Sequence, residues 1–182
     1  MKNFKKGFTL AEVLVTLTII GVIAALTLPL LMGGTNTASF KTSYKKAIST
    51  LNQGIKLNQA TDMSDPGTCP GCDSAGATGA QALASYFSNG IKTLGGATGG
   101  VFTTQDGMVF TFNHSGTASA CDDATVFTSA VCTVVVDVNG PKAPNAVTTG
   151  ATPSTIKDQF NMIVQSSTVI PGDAGAIAVS KS

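Results

Sequence analysis

Lys5-Lys6-Gly7-Phe8-Thr9-Leu10-Ala11-Glu12 leads straight into Val13–Met32, twenty residues without a charge. At about 1.5 Å per residue, a helix of that length reaches about 30 Å, the hydrocarbon thickness of a bilayer. The stretch is apolar on all sides, whereas a helix on the surface of a soluble protein is apolar along one stripe. Lys2, Lys5 and Lys6 precede it and predict a cytoplasmic amino terminus by the positive-inside tendency, with the rest of the chain on the other side.

A secretory signal peptide has a shorter apolar core that ends in a small-residue cleavage site, and Gly33-Gly34-Thr35-Asn36 offers none. A plain membrane anchor fits the length but leaves Glu12 unexplained. A carboxylate at the mouth of a span is costly without a partner, although the first turn of a helix favours negative charge.

Gly7-Phe8-Thr9-Leu10-Ala11-Glu12, with Ile19-Ile20-Gly21, Ala24-Ala25 and Pro29 behind it, resembles the class III leader and helix of type IV pilins and type II secretion pseudopilins over about 25 residues. The resemblance implies that a prepilin peptidase cuts between Gly7 and Phe8 and methylates the new amine of Phe8. It also implies that Glu12 pairs with the Phe8 amine of a neighbouring subunit during assembly. A buried amine and a buried carboxylate are each costly alone and tolerable together, so Glu12 reads as a register device. Gly21 and Pro29 weaken the helix between them, through backbone freedom and a missing donor.

Outward from that segment, 43% hydrophobic and 12% charged residues in 182 fit one modest domain on a helical stalk. Removing residues 1–7 leaves eight lysines against ten acids, a side-chain sum of −2, and the chain has no arginine. The electrostatic footprint of a nucleic-acid binder is therefore missing. Phe40, Tyr44, Ile48, Leu51 and Ile55 recur with helical period, predicting one long helix from about Phe8 to Asn58, bent or interrupted near Pro29–Gly34. A short helix follows over Ala82–Phe87, and Gly95–Gly100 reads as a turn.

Val101–Thr104 and Met108–Phe112 flank Asp106-Gly107 as a hairpin. Thr133–Val138 and Phe160–Val164 alternate as two further strands, and Val169-Ile170 and Ile177–Val179 are candidate edges. These elements predict an α+β fold, a small antiparallel sheet burying one face on the amphipathic half of the long helix. The pilin resemblance implies the same fold. The expected division is a leader over 1–7, a transmembrane and assembly half-helix over 8–35, and a head over 36–182.

Four cysteines lie beyond the span, in an expected oxidising compartment. Of three possible pairings, Cys121–Cys132 and Cys69–Cys72 are favoured, the first closing a hairpin-like loop. A redox or zinc role for Cys69-Pro70-Gly71-Cys72 lacks its βαβ context or second ligand pair. Asp137-Val138-Asn139-Gly140 has the spacing of a partial calcium loop, with Asp137 and Asn139 as candidate ligands, but the next carboxylate, Asp158, is far along the chain. The competing reading is a turn built on Asn139-Gly140. His114, the sole histidine, has no nucleophile motif beside it and reads as a polar loop residue.

No catalytic residue and no cofactor, apart from that candidate calcium, is expected. The expected function is a prepilin subunit that polymerises into a type IV pilus-like filament. Its partners are its own copies, other pilins, a prepilin peptidase, an assembly platform and the bacterial inner membrane. The precursor would be single-pass, and the product an extracellular pilus. Within the family the alternative is a type II secretion pseudopilin in a periplasmic pseudopilus, or a minor pilin. From another class it is a membrane-anchored module binding DNA or another ligand.

Overall fold

The computed structural model describes residues 7–115 and 120–182, with the backbone alone over 29–35. Lys2, Lys5 and Lys6 lie outside the described residues. Contacts divide the chain into two compact units, Met1–Asn36 and Thr37–Ser182.

Helix α1 is assigned over Leu10–Thr61 and passes from one unit to the other. It continues through Pro29 and Gly33-Gly34, where the sequence predicted an interruption. A proline removes a single donor, and in an apolar stretch every further freed backbone group would go unsatisfied, so continuing the helix is cheaper than breaking it. In the first unit no residue of Leu10–Leu28 is buried.

The second unit is α+β. It adds α2 (Ala77–Gly90), strands β1 (Val101–Thr103), β2 (Val109–His114), β3 (Cys132–Asp137), β4 (Gln159–Val164) and β5 (Val169–Pro171), and α3 (Ala174–Lys181). The strands form one antiparallel sheet in chain order. Register places Phe102, Phe110, Val136 and Phe160 in one cross-strand row, and Phe112, Val134 and Met162 in the next. All seven are buried. This is what period-2 alternation dictates, since one face of the sheet collects every second side chain.

Onto that face α1 lays Tyr44, Leu51 and Ile55, all buried, with Phe40 and Ile48 partly buried at its margin. Tyr44 stacks on Phe160 with ring centroids 4.3 Å apart. Leu83 and Phe87 of α2 complete the layer, Phe87 stacking on Phe112 at 5.1 Å. Helix α2 is longer than Ala82–Phe87 because Ala77–Gln81 continue its first turns. Gln81 accepts from the Gly100 amide at 3.0 Å and donates to the Ala97 carbonyl at 3.2 Å, which fastens the Gly95–Gly100 turn.

Two expectations are corrected. Ile177–Val179 is not an edge strand but part of α3, capped by Asp173, whose carboxylate accepts from the Ala176 amide at 2.7 Å. The cap and the run of alanines outweigh the β preference of two branched residues. His114 is not in a loop: it ends β2, buried, opposite Cys132.

Asn52 fastens α1 to the sheet edge. Its side-chain oxygen accepts from the Val169 amide and the Thr168 hydroxyl, each at 2.9 Å, and its amide donates to the Val169 carbonyl at 3.2 Å. Asn52→Ala leaves these partners unmatched. It should cost about 1–3 kcal/mol and lower the melting temperature of the detergent-solubilised protein by about 2–10 °C. An unchanged thermal unfolding curve would show that β5 is not held from α1.

Candidate functional site

Within the amino-terminal unit, Gly7 and Phe8, the first described residues, lie outside any helix and are both exposed, Phe8 at 91%. Thr9 and Glu12 close a reciprocal cap at the start of α1. The Thr9 hydroxyl accepts from the Glu12 amide at 3.3 Å, and the Glu12 carboxylate accepts from the Thr9 amide and the Thr9 hydroxyl, each at 2.8 Å. Thr-x-x-Glu before an apolar run is the capping-box pattern, legible in the sequence though not drawn from it. Glu12 is therefore held by a local, solvent-exposed partner. Phe8, Glu12, Val13 and Thr16 line a single hollow.

Further along, the hydroxyls of Thr16, Thr18 and Thr27 donate to the carbonyls of Val13, Leu14 and Ile23 at 2.8–3.0 Å. Polar side chains thereby satisfy themselves on their own helix, as an apolar environment requires. Gly21 has open space where a side chain would stand. Pro29 lies in the helical backbone, and its side chain is outside the described residues.

Residues 2–28 match the family model of the prokaryotic N-terminal methylation motif. The segment is a class III prepilin leader, of the kind borne by type IV pilins and pseudopilins. No curated protein and no solved structure matches the chain. The leader supports membership of the type IV pilin and pseudopilin group and points to a structural subunit. It implies processing by a prepilin peptidase and assembly with other pilins, and with the apolar helix it fits a membrane-anchored precursor.

In the second unit the four cysteines form two disulfides, Cys69–Cys72 and Cys121–Cys132, with Cα separations of 5.4 and 5.2 Å. All four are buried. Cys69–Cys72 closes one turn of a loop whose backbone Asp65 caps through the Gly67 amide.

At the β3–β4 connection, Asp137 accepts from the Asn139 amide and from Gln159 Nε2, both at 3.3 Å. Asn139 donates to the Ala143 carbonyl at 3.2 Å, while its own side-chain oxygen is buried and accepts nothing from the described residues. Asp158, distant in sequence, comes alongside because Asp137 pairs with Gln159 across the ladder. It is buried and accepts from the amides of Asn145 and Ala146 at 2.8 and 2.9 Å. Burial pushes the Asp137 carboxyl above the ordinary range; the Gln159 bond draws it back and the Asp158 charge adds to the rise. Among the described residues no three His, Cys, Asp or Glu side chains converge. Asp158 was beyond local sequence patterns, since only the strand register delivers it, and Asn145 arrives by the loop between β3 and β4.

The two disulfides close loops of very different length, with sequence separations of 11 and 3. Loop-closure entropy grows with loop length, so replacing Cys121 and Cys132 by serine should cost about 2–4 kcal/mol, and replacing Cys69 and Cys72 distinctly less. Thermal unfolding of the two double variants checks the order, and equal losses would refute it.

Proposed function

We propose that this chain is a prepilin whose processed form polymerises into a type IV pilus-like filament. One observation carries the reading: the methylation motif matched over residues 2–28 contains an apolar helical segment, Leu10–Leu28, long enough to cross a bilayer and with no buried residue. Such a surface needs an apolar surrounding, first lipid and then the same segment of neighbouring copies. Exchanging one for the other is nearly neutral in hydrophobic terms, because both are apolar. Direction and register must then come from polar groups.

Glu12 and Phe8 supply them. Cleavage after Gly7 gives Phe8 a free amine, and a peptidase reaches that bond because Gly7 and Phe8 are exposed and precede the helix. In the separate subunit the Glu12 carboxylate rests on Thr9. In the filament it exchanges that local partner for the amine of an adjacent subunit, a pair formed only when the helices stand in the right register. Removing one member of a buried pair typically costs about 3–5 kcal/mol, far more than a solvated cap is worth. The subunit is stored in the inner membrane with its amino terminus cytoplasmic, and the filament emerges outside.

Intact-mass analysis of protein sheared from the cell surface should find a chain that begins at methylated Phe8. Glu12→Ala should be cleaved and methylated normally yet lower the yield of sheared filament by more than about tenfold. Wild-type filament yield from this variant, or an intact Met1 in sheared protein, would sink the reading.

A further inference from the structure

From Thr37 to the end of α1 at Thr61 the chain carries four lysines, Lys41, Lys45, Lys46 and Lys56, and no acid. Lys45 and Lys56 are exposed and lie three turns apart on one line of the helix, about 16 Å along it, with the exposed Ser49 and Gln53 beside them. This face points away from the buried stripe of Tyr44, Leu51 and Ile55. At its edge Lys46, Thr50, Gln53, Ile91, Lys92 and Met108 line part of a hollow of about 360 Å³. Lys46 pairs with Asp106 at 2.7 Å, the only ion pair among the described residues, so Lys92 meets no carboxylate there.

Beyond α1 the charge reverses. Asp62 follows the last residue of the helix, Asp65 and Asp73 flank the Cys69–Cys72 loop, and Asp122 and Asp123 follow Cys121. The two disulfide-closed loops abut, since a Cβ on Gly67 would stand 3.3 Å from the Cys121 carbonyl oxygen. Asp62, Asp73, Asp122 and Asp123 are exposed, and no lysine occurs over residues 57–75 or 120–131. This placement does not serve the isolated subunit. The end of a helix favours cations, yet the last turn of α1 has none and Asp62 stands next to it. Beside Asp62, Met63 is 87% exposed, more than any other large apolar side chain described in the second unit, and it occupies left-handed backbone at φ 54°.

We propose that the lysine face of α1 and its hollow receive the acid-bearing end of a second copy of this chain, with Met63 seated against Ile91 and Met108 and Asp62 meeting Lys92. The occupant follows from charge: each surface lacks, on its own molecule, the sign that the other supplies. The two surfaces are different, so the contact is heterologous, leaves one of each unused in any pair and repeats into an open chain. Met63 lies ten residues beyond Gln53 and seventeen beyond Lys46, so parallel copies in contact are offset by about 15–25 Å along α1. The inference rests on the filament reading and gives the second unit a contact of its own, apart from Glu12.

The test is zero-length carbodiimide cross-linking of the full-length protein in membranes and in sheared filaments. Copies carrying two isotopic labels are mixed, so that links between copies are told from links within one. Links between copies should join Asp62 to Lys92, and Asp65 or Asp73 to Lys45 or Lys56. Lys92→Asp should lower the yield of sheared filament about three- to tenfold, and adding Asp62→Lys to it should restore the yield. The wild-type cross-links decide the matter if either variant does not fold. Filaments whose cross-links all fall elsewhere, or Lys92→Asp assembled at wild-type yield, overturn the contact and leave the filament reading standing. No sheared filament, with no link between copies in membranes, overturns both.

Discussion

Helix α1 has to satisfy two different surroundings. Over Leu10–Leu28 it is apolar on every side and uncovered, and beyond Phe40 it is apolar on one side, where Tyr44, Leu51 and Ile55 are sealed against the sheet. The second half could not be apolar all round without exposing a greasy face to water, and the first half could not be amphipathic without placing polar groups in lipid. The sheet follows from this. Its apolar face needs a cover, and the row through Phe102, Phe110, Val136 and Phe160 finds it in α1 and α2, above all in the Tyr44–Phe160 stack. Charge enters the apolar stretch at one residue, Glu12, placed in the first turn of the helix, where a carboxylate is best tolerated.

Much of this was legible in the sequence because the signals are short-range. The hairpin over Val101–Phe112 declares itself through alternating aromatics around Asp106-Gly107, and β3, β4 and the buried stripe of α1 through their periods. The methylation motif is local as well, a contiguous run that a family model recognises without reference to the rest of the chain.

What was not legible depends on distance or on competition. Ile177–Val179 looks like strand by composition, but Asp173 caps a helix just before it, and a cap is decided by geometry that composition does not display. Asn52 gives no hint that it will hold Val169, more than a hundred residues away. Asp158 seemed too remote to join Asp137 until the β3–β4 register set Gln159 opposite Asp137, and Asn145 reaches the same place through a loop with no period to read. His114 misled because polar residues beside Ser and Gly usually mark loops, whereas here the strand runs one turn of the pleat further and buries the ring.

The two outer strands of the sheet are its shortest, three residues each, and neither presents a bare ladder. Beyond β1, Thr93 bridges Thr104 and the Leu94 amide donates to the Thr103 carbonyl, while Asn52 occupies both backbone groups of Val169 in β5. A free edge is a template for a strand from the next molecule, and subunits crowded in a membrane or along a fibre meet such edges constantly. With both rims occupied, this sheet is insulated from its own copies. In the proposed filament, self-association would thereby fall to the helix, where contacts can form and come apart, and be kept away from strand-to-strand stacking, which would not reverse.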